Sequence, residues 1–328
     1  MNRTRGHRGW TGLSSVLAVL VLVGACAWGS GADDLGRSDE QTPSETGDSG
    51  GETGGPTSAT CANPVQSYAP VEPLPGAGQM PSGSTMERIY NNGALVVGVS
   101  ADTLRMGARD PFTGQIEGFD IDILREIARA IFGDPDRLQF RVITSAQRID
   151  VLTSGEVDVV ARAFTITCQR WQEIAFSAEY FHSGQKVLVS QGSTAAGLAD
   201  LAGQRVCAPA GTTTLERLSE FPEVEAVAAP THSQCLALFQ QGQVDAITGD
   251  DTILAGFAAQ DPYAVVVGEA ISDEPYGLGI PPENVDMVIF VNGVLEQIMA
   301  DGTWTQIYDR WLADLGPAPI PPAPVYGR

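Results

Sequence analysis

Five cysteines and three histidines carry most of the reactive chemistry available to this chain. The histidines, His7, His182 and His232, are scattered and too few for a His-rich metal site, and no cofactor is called for. The sequence shows no Ser/His/Asp arrangement and no Gly-rich phosphate loop; Gly51-Glu-Thr-Gly-Gly55 has the composition of a linker. Glu173 can be drawn as a general acid, but it reads more simply as a surface residue. What remains is thiol chemistry and the binding chemistry of arginines and carboxylates. The chain carries 40 acidic against 19 basic side chains, a formal net charge of −21. Such a surface repels phosphate backbones, which argues against a nucleic-acid partner.

The thiols are sorted by the first residues of the chain. Arg3, Arg5 and Arg8 precede an apolar run over 13–23, which leads into Val23-Gly-Ala-Cys26. A basic start, a short apolar stretch and small residues at the cut predict a secretory signal peptide over 1–25. The run is too short for a comfortable transmembrane span. A Cys directly after small residues resembles a bacterial lipobox, in which Cys26 is acylated and becomes the mature N-terminus. The chain is then exported and anchored to the outer face of the cytoplasmic membrane. An ordinary signal sequence with an incidental Cys is the alternative. Cys61, Cys168, Cys207 and Cys235 are left, an even number that favours two disulfides in an exported protein. Three connectivities are possible. Cys207–Cys235 closes the shorter loop and is preferred, which leaves Cys61–Cys168; four free thiols are the alternative.

The rest of the sequence must position these groups. Apolar residues make up 43% of the chain, enough for a sizeable core, and 328 residues suit roughly two domains. Residues 26–83 read as a tether and extension: Gly, Ser, Thr and acid to about residue 60, then a Pro-rich stretch lying extended on the surface. Folded structure is expected to begin with a helix near Ser84, where Ser84-Thr-Met-Glu87 has capping-box spacing. Strand runs at 94–100, 138–143 and 157–161 then alternate with helical spacing at 121–132 and 149–152. The pattern repeats with strands at 205–208, 226–229 and 245–248 and helices at 213–220 and 233–241. Alternation of this kind predicts an α/β fold with largely parallel sheets. Two similar halves predict two lobes: 84–183 with 281–328, and 184–280. The end of the chain, 316–328, is Pro-rich and expected to lie extended.

Within this order sit Gly118-Phe-Asp-Ile-Asp122, Leu152-Thr-Ser-Gly-Glu-Val-Asp158, Thr165-Ile-Thr167 with Arg170, and Ala175-Phe-Ser177. Ala210-Gly-Thr-Thr213, Gly242-Gln-Val-Asp-Ala246, Asp250-Asp251 and Asp301-Gly-Thr303 follow. Each motif is weak alone; in this order, over residues 84 to 313, they resemble the polar amino acid branch of the type II periplasmic solute-binding proteins. The resemblance implies two lobes joined by a hinge that close around an amino acid. It further implies a membrane permease or a membrane sensor as partner, and a monomer. With its lipobox, acidic tether and extra cysteines, the chain is similar to actinobacterial glutamine-binding lipoproteins.

The resemblance also assigns residues. Arg170 takes the position that holds the ligand's α-carboxylate with two parallel charge-assisted hydrogen bonds. Thr165 adds contacts, Thr212 donates from the N-terminus of a helix in the second lobe, and Asp250 accepts the ammonium. Thr144-Ser-Ala-Gln-Arg148 resembles the run by which glutamate/aspartate-binding members receive the distal carboxylate, which implicates Ser145 and Arg148. Arg105 lies near another position where acidic-ligand members use Arg, and His232 matches a His of those relatives or is a surface neighbour of a helix cap. Arg162 departs from the family, where many members have a small residue, and either completes an acidic-ligand site or only makes an ion pair. The implied ligand is L-glutamate or L-aspartate, with asparagine or glutamine weaker. A glutamine-specific importer component is the nearest rival, and a dehydratase or lyase on the same fold is the rival of another class.

Overall fold

The computed structural model describes residues 61–328. The expected signal peptide, Cys26 and the tether up to residue 60 lie outside the described residues.

The first lobe is built on the apolar strand Leu95–Val99, in which Leu95, Val97 and Val99 are fully buried. It pairs in parallel with Leu138–Val142 and with Val159–Ala161. Gly279–Ile280 extends the sheet antiparallel and is followed by Ala175–Phe176. Helix Phe119–Phe132 covers one face. Phe119, Ile123, Ile127 and Ile131 recur every fourth residue and are all fully buried, as a helix facing a sheet requires. Gly118, which opens it, has φ 142°, and a Cβ there would lie 2.4 Å from the Met106 carbonyl oxygen. Only glycine admits that close approach of two backbones.

Ser84 caps helix Thr85–Asn92 as expected: its hydroxyl accepts from the Glu87 amide at 3.1 Å. The return bond differs from a capping box, because Glu87 accepts from the Gly83 amide (2.6 Å).

The second lobe has strand order Glu225–Ala229, Arg205–Pro209, Ala246–Asp250, Phe181–Ser190, Ala264–Val267. The first three are parallel; Phe181–Ser190 runs antiparallel to its neighbours, because it is the strand that carries the chain across from the first lobe. Its faces alternate. Val187, Val189, Val206, Ala208 and Ala246 pack against Leu198, Leu201 and Leu218. Leu188, Cys207 and Ile247 point the other way, toward Cys235 and Phe239 of helix His232–Gln240 and toward helix Asp251–Gln260. The Cys207–Cys235 disulfide joins strand to helix across that layer, with Cα atoms 5.6 Å apart. The sequence pattern had not indicated helix Asp251–Gln260.

The chain returns along Asp273–Tyr276, antiparallel to the start of Phe181–Ser190. The outward strand thus begins three residues before the expected boundary at 184, and Gly279–Ile280 already belongs to the first sheet. Phe181 stacks on Tyr276 at 5.7 Å, with Phe119, Tyr180, Trp304 and Tyr308 around them. Helices Val285–Ala300 and Thr303–Trp311 pack on Phe119–Phe132.

The extension departs from expectation. Gln66–Ser67 pairs in parallel with Val325–Tyr326, so ordered structure begins well before Ser84 and the two ends of the described chain meet. Ser67 is fully buried: its hydroxyl donates to the Phe176 carbonyl (2.9 Å) and accepts from Asn292 (3.0 Å). Asn292 is a buried polar residue in an apolar helix and needs partners. Its amide donates to the Tyr68 carbonyl as well and accepts from the Ala178 N–H. The Cys61–Cys168 disulfide fastens the same extension to the body.

Candidate functional site

The loops that follow the parallel strands converge between the lobes, the usual crevice of open α/β sheets. The first lobe contributes the turn Ser145–Gln147 with helix Arg148–Thr153, the stretch after Val159–Ala161, and the single turn Arg170–Gln172. Gln147 pins the first turn by accepting from the Thr144 N–H at 2.9 Å. The second lobe contributes Gly211, helix Thr213–Arg217, the start of His232–Gln240 and the end of Ala246–Asp250.

Three arginines are buried here. Arg148, 3% exposed, donates through Nε to the Ser145 carbonyl (2.9 Å) and through Nη1 to the carbonyls of Arg162 and Ala163 (3.3 and 3.1 Å). Its Nη2 reaches across the lobes to the Gly211 carbonyl at 2.7 Å. Arg170, 7% exposed, donates to the Thr165 carbonyl at 2.6 Å and to the same Gly211 oxygen at 3.4 Å. Both guanidiniums lie on the Phe164 ring, 4.2 and 4.9 Å from its centroid. Arg162 donates to the Ile143 carbonyl at 2.8 Å and to the Ser145 hydroxyl, and stands 3.6 Å from Asp102. Among the described residues, Arg162 alone of the three has a carboxylate within ion-pair distance. Burial pushes all three guanidiniums below their ordinary range, and for Arg148 the charges of Arg170 and Arg162 push further. Guanidinium stays protonated in proteins, so that direction reflects the cost of burying three charges together, which a buried anion would offset. Ser145, Arg148, Phe164, Arg170 and Gly211 line a cavity of about 130 Å³.

Carboxylates face them from the hinge side. Asp250 is buried and accepts from the Tyr276 hydroxyl at 2.6 Å. Burial, reinforced by Glu274, pushes its carboxyl up to about 7, against the pull of that hydrogen bond. Glu274 is 1% exposed and accepts from Thr165 and Thr213 (2.7 Å each) and from Ser272 (2.7 Å). It therefore bridges hydroxyls of both lobes. His232 is buried, its Nδ1 has no hydrogen-bond partner among the described residues, and burial together with Arg162 pushes its imidazole down to about 3.

The structure thus brings together Arg170, Thr165, Ser145, Arg148 and Arg162, and buries Asp250 and His232 beside them. Two of the expected side chains have other partners here. Arg105 pairs with Asp314 and lines a separate cavity of about 530 Å³ with Lys186 and Asp251. Thr212 is the N-cap of its helix: its hydroxyl donates to the Pro209 carbonyl (2.7 Å) and accepts from the Leu215 N–H (3.1 Å). The Thr212 hydroxyl is thus engaged in capping, as the Thr165 hydroxyl is with Glu274, and the neighbouring Thr213 hydroxyl faces the hinge.

Residues 95–314 match the bacterial extracellular solute-binding proteins, family 3. The chain belongs to this family. It is 34% identical over 232 residues to the ABC transporter glutamine-binding protein GlnH of Bacillus subtilis, a match covering 70% of this chain and 85% of the relative. The glutamate-binding protein GluB of Corynebacterium glutamicum is 30% identical over 254 residues, covering 74% and 86%. Among solved structures, a mutant of ArgBP from T. maritima has a TM-score of 0.65 at 29% identity, over 70% of this chain and 99% of that one. The α/β, two-lobed architecture is the fold of these solute-binding proteins. In this solute-binding protein no helix among the described residues is long and apolar enough to cross a membrane.

Sequence reasoning missed Glu274, Tyr276, Asp102, Phe164 and Gly211 as members of the site. Glu274 lies in the returning strand Asp273–Tyr276, and its charge in a buried strand was the available signal. Gly211 lay inside Ala210-Gly-Thr-Thr213, but its role as an acceptor comes from a carbonyl, which no side-chain pattern encodes.

Proposed function

We propose that this solute-binding protein is an extracytoplasmic receptor for L-glutamate or L-aspartate, with glutamine or asparagine as weaker ligands. The observation that carries the reading is the convergence of Arg148 and Arg170, both buried and without a carboxylate partner among the described residues, on one Gly211 oxygen. A dicarboxylic amino acid supplies two anionic groups to two guanidiniums, each able to accept a pair of hydrogen bonds. Arg170 and Thr165 hold the α-carboxylate, Arg148 and Ser145 the distal one, and Asp250 the ammonium; Arg162 and His232 close the pocket. Closure of the lobes follows because the ligand binds residues of both. The surface charge of −21 does not oppose this, since exposed charges are screened within roughly 10 Å.

Glutamine is the second reading, favoured by the 34% identity to GlnH of Bacillus subtilis. An amide offers Arg148 one acceptor oxygen and no charge, so it answers the demand of this pocket less well. The named relative is part of an ABC transporter, which supports a membrane permease as the partner; a membrane sensor of the closed form is the other. Acylation of Cys26 would keep the receptor, a monomer, at the membrane.

A thermal-shift survey of the twenty amino acids tests the class. Ligand at about 1,000 times Kd stabilises by about 4 kcal/mol, which moves Tm by roughly 10 °C in a protein of this size. Glutamate and aspartate should give the largest shifts; arginine or an apolar amino acid in first place would overturn the proposal.

The ammonium assignment predicts a pH dependence. Asp250 has its carboxyl raised to about 7, so it is protonated below that pH and ionised above it. The ligand's ammonium needs the ionised form. Affinity should therefore be full above pH 8 and fall about tenfold per unit below 7, while His232, at about 3, stays neutral throughout. Calorimetry in buffers of different ionisation enthalpy should register a proton released on binding at pH 6, and an Asp250→Asn variant should register none.

A further inference from the structure

We infer that residues 61–68 and 325–328 form a clasp that positions Arg170, with Trp171 as the residue through which the clasp acts. The inference rests on the reading of Arg170 as the holder of the ligand's α-carboxylate.

Arg170 sits in the single turn Arg170–Gln172. Local hydrogen bonds close the turn, from the Trp171 N–H to the Thr167 carbonyl (3.1 Å) and from the Glu173 and Ile174 N–H groups to the Arg170 carbonyl (3.1 and 3.0 Å). Its guanidinium is buried with carbonyl oxygens as its hydrogen-bond acceptors among the described residues. Further contacts to the turn come from distant parts of the sequence. Two residues before Arg170, Cys168 is bonded to Cys61. One residue after it, the Trp171 indole N–H donates to the Pro64 carbonyl at 2.7 Å. The Arg328 guanidinium lies over the Trp171 ring, 3.7 Å from the centroid, while its Nε donates to the Gln66 carbonyl. Tyr68 meets the same ring edge-on. The strand pair Gln66–Ser67 with Val325–Tyr326 joins the two segments, and the Gly327 and Arg328 amides both donate to the Ser67 carbonyl (3.1 and 3.2 Å).

Residues 61–68 and 325–328 lie outside the segment 95–314 that matches the family. The two strands of the clasp thus lie outside the matched segment, and the clasp converges on the turn that carries Arg170. Holding a charged group in its binding geometry beforehand removes the ordering cost from association. The same connection fastens the N-terminal segment covalently beside the site, so a disturbance of that segment reaches Arg170 through two residues.

The test compares L-glutamate with L-isoglutamine, whose α-carboxylate is an amide, by calorimetry on the full chain. Wild type, Arg328→Ala, Trp171→Leu and Cys61→Ser/Cys168→Ser are titrated, and Tm is recorded for each. The clasp account expects glutamate affinity to fall about tenfold in each variant while isoglutamine affinity barely changes, so that the discrimination between the two contracts. Arg328→Ala removes only a side chain at the chain's end, which keeps the test open if the cysteine variant does not fold. A lowered Tm with the discrimination ratio intact would overturn the inference and leave the functional reading standing. A wild-type chain that binds no amino acid would sink that reading, and the clasp's role with it.

Discussion

Replacing Arg170 by Ala should weaken the binding of every amino acid, acidic or not, by at least about a hundredfold, because the α-carboxylate is common to all of them. Losing one partner of a desolvated charge pair costs about 3–5 kcal/mol, on the order of 10²- to 10³-fold in affinity. The variant should nevertheless fold as well as the parent. Arg170 is buried with carbonyl oxygens as its only hydrogen-bond acceptors, so its removal relieves a desolvation cost as well as losing hydrogen bonds. Calorimetry and a melting curve on the same sample separate the outcomes. Lost binding at an unchanged Tm supports the assignment; retained binding at a lowered Tm would make Arg170 a structural cation.

Gly211→Ala should weaken ligand binding by roughly 10- to 100-fold through a different route, by holding the lobes apart. Gly211 has φ 73°, and a Cβ at that position would lie 2.6 Å from Ala146 Cα and 3.0 Å from Ala146 N, in the opposite lobe. Backbone against backbone cannot give way as a flexible side chain does. The Gly211 carbonyl would also be levered off Arg148. Part of the effect is left-handed strain, about 1 kcal/mol for a non-glycine residue. Gly203 supplies the control: it has the same φ of 73° but nothing within 4 Å of an added Cβ. Gly203→Ala should lower Tm slightly and leave affinity alone. Solution scattering should show glutamate contracting the parent and the Gly203 variant, but not Gly211→Ala. Equal affinities for the two variants would mean that closure is not what Gly211 serves.

Much of the fold was legible because it rests on periodicity. Leu95, Val97 and Val99, or Phe119, Ile123, Ile127 and Ile131, declare their elements by spacing alone. What escaped has physical reasons. Asp102–Thr103, Gly107–Arg109 and Ile116–Glu117 form a three-stranded sheet of two- and three-residue strands, too short for alternation to register. Gln66–Ser67 pairs with a strand about 260 residues away, and its polar side chains gave no sign of the partner. In the site, the arginines were readable because motif order singled them out, and Arg148, Arg162 and Arg170 are all buried. Arg105 was misplaced because its partner, Asp314, is 209 residues on and announces nothing locally. The capping role of the Thr212 hydroxyl was not legible within a run of three threonines, where only the backbone's entry into the helix decides which hydroxyl becomes the cap.

On the proposed assignment, selectivity for an acidic side chain would depend on Arg148, whose substitution by Met keeps an apolar stem over Phe164 while removing the charge. Calorimetric titration of glutamate and glutamine into the parent and into Arg148→Met measures that dependence directly. The parent should prefer glutamate by at least about tenfold, a difference of about 1.4 kcal/mol, and Arg148→Met should lose or invert the preference while still binding glutamine. A parent that prefers glutamine, or a preference for glutamate that survives Arg148→Met unchanged, would contradict the acidic pocket.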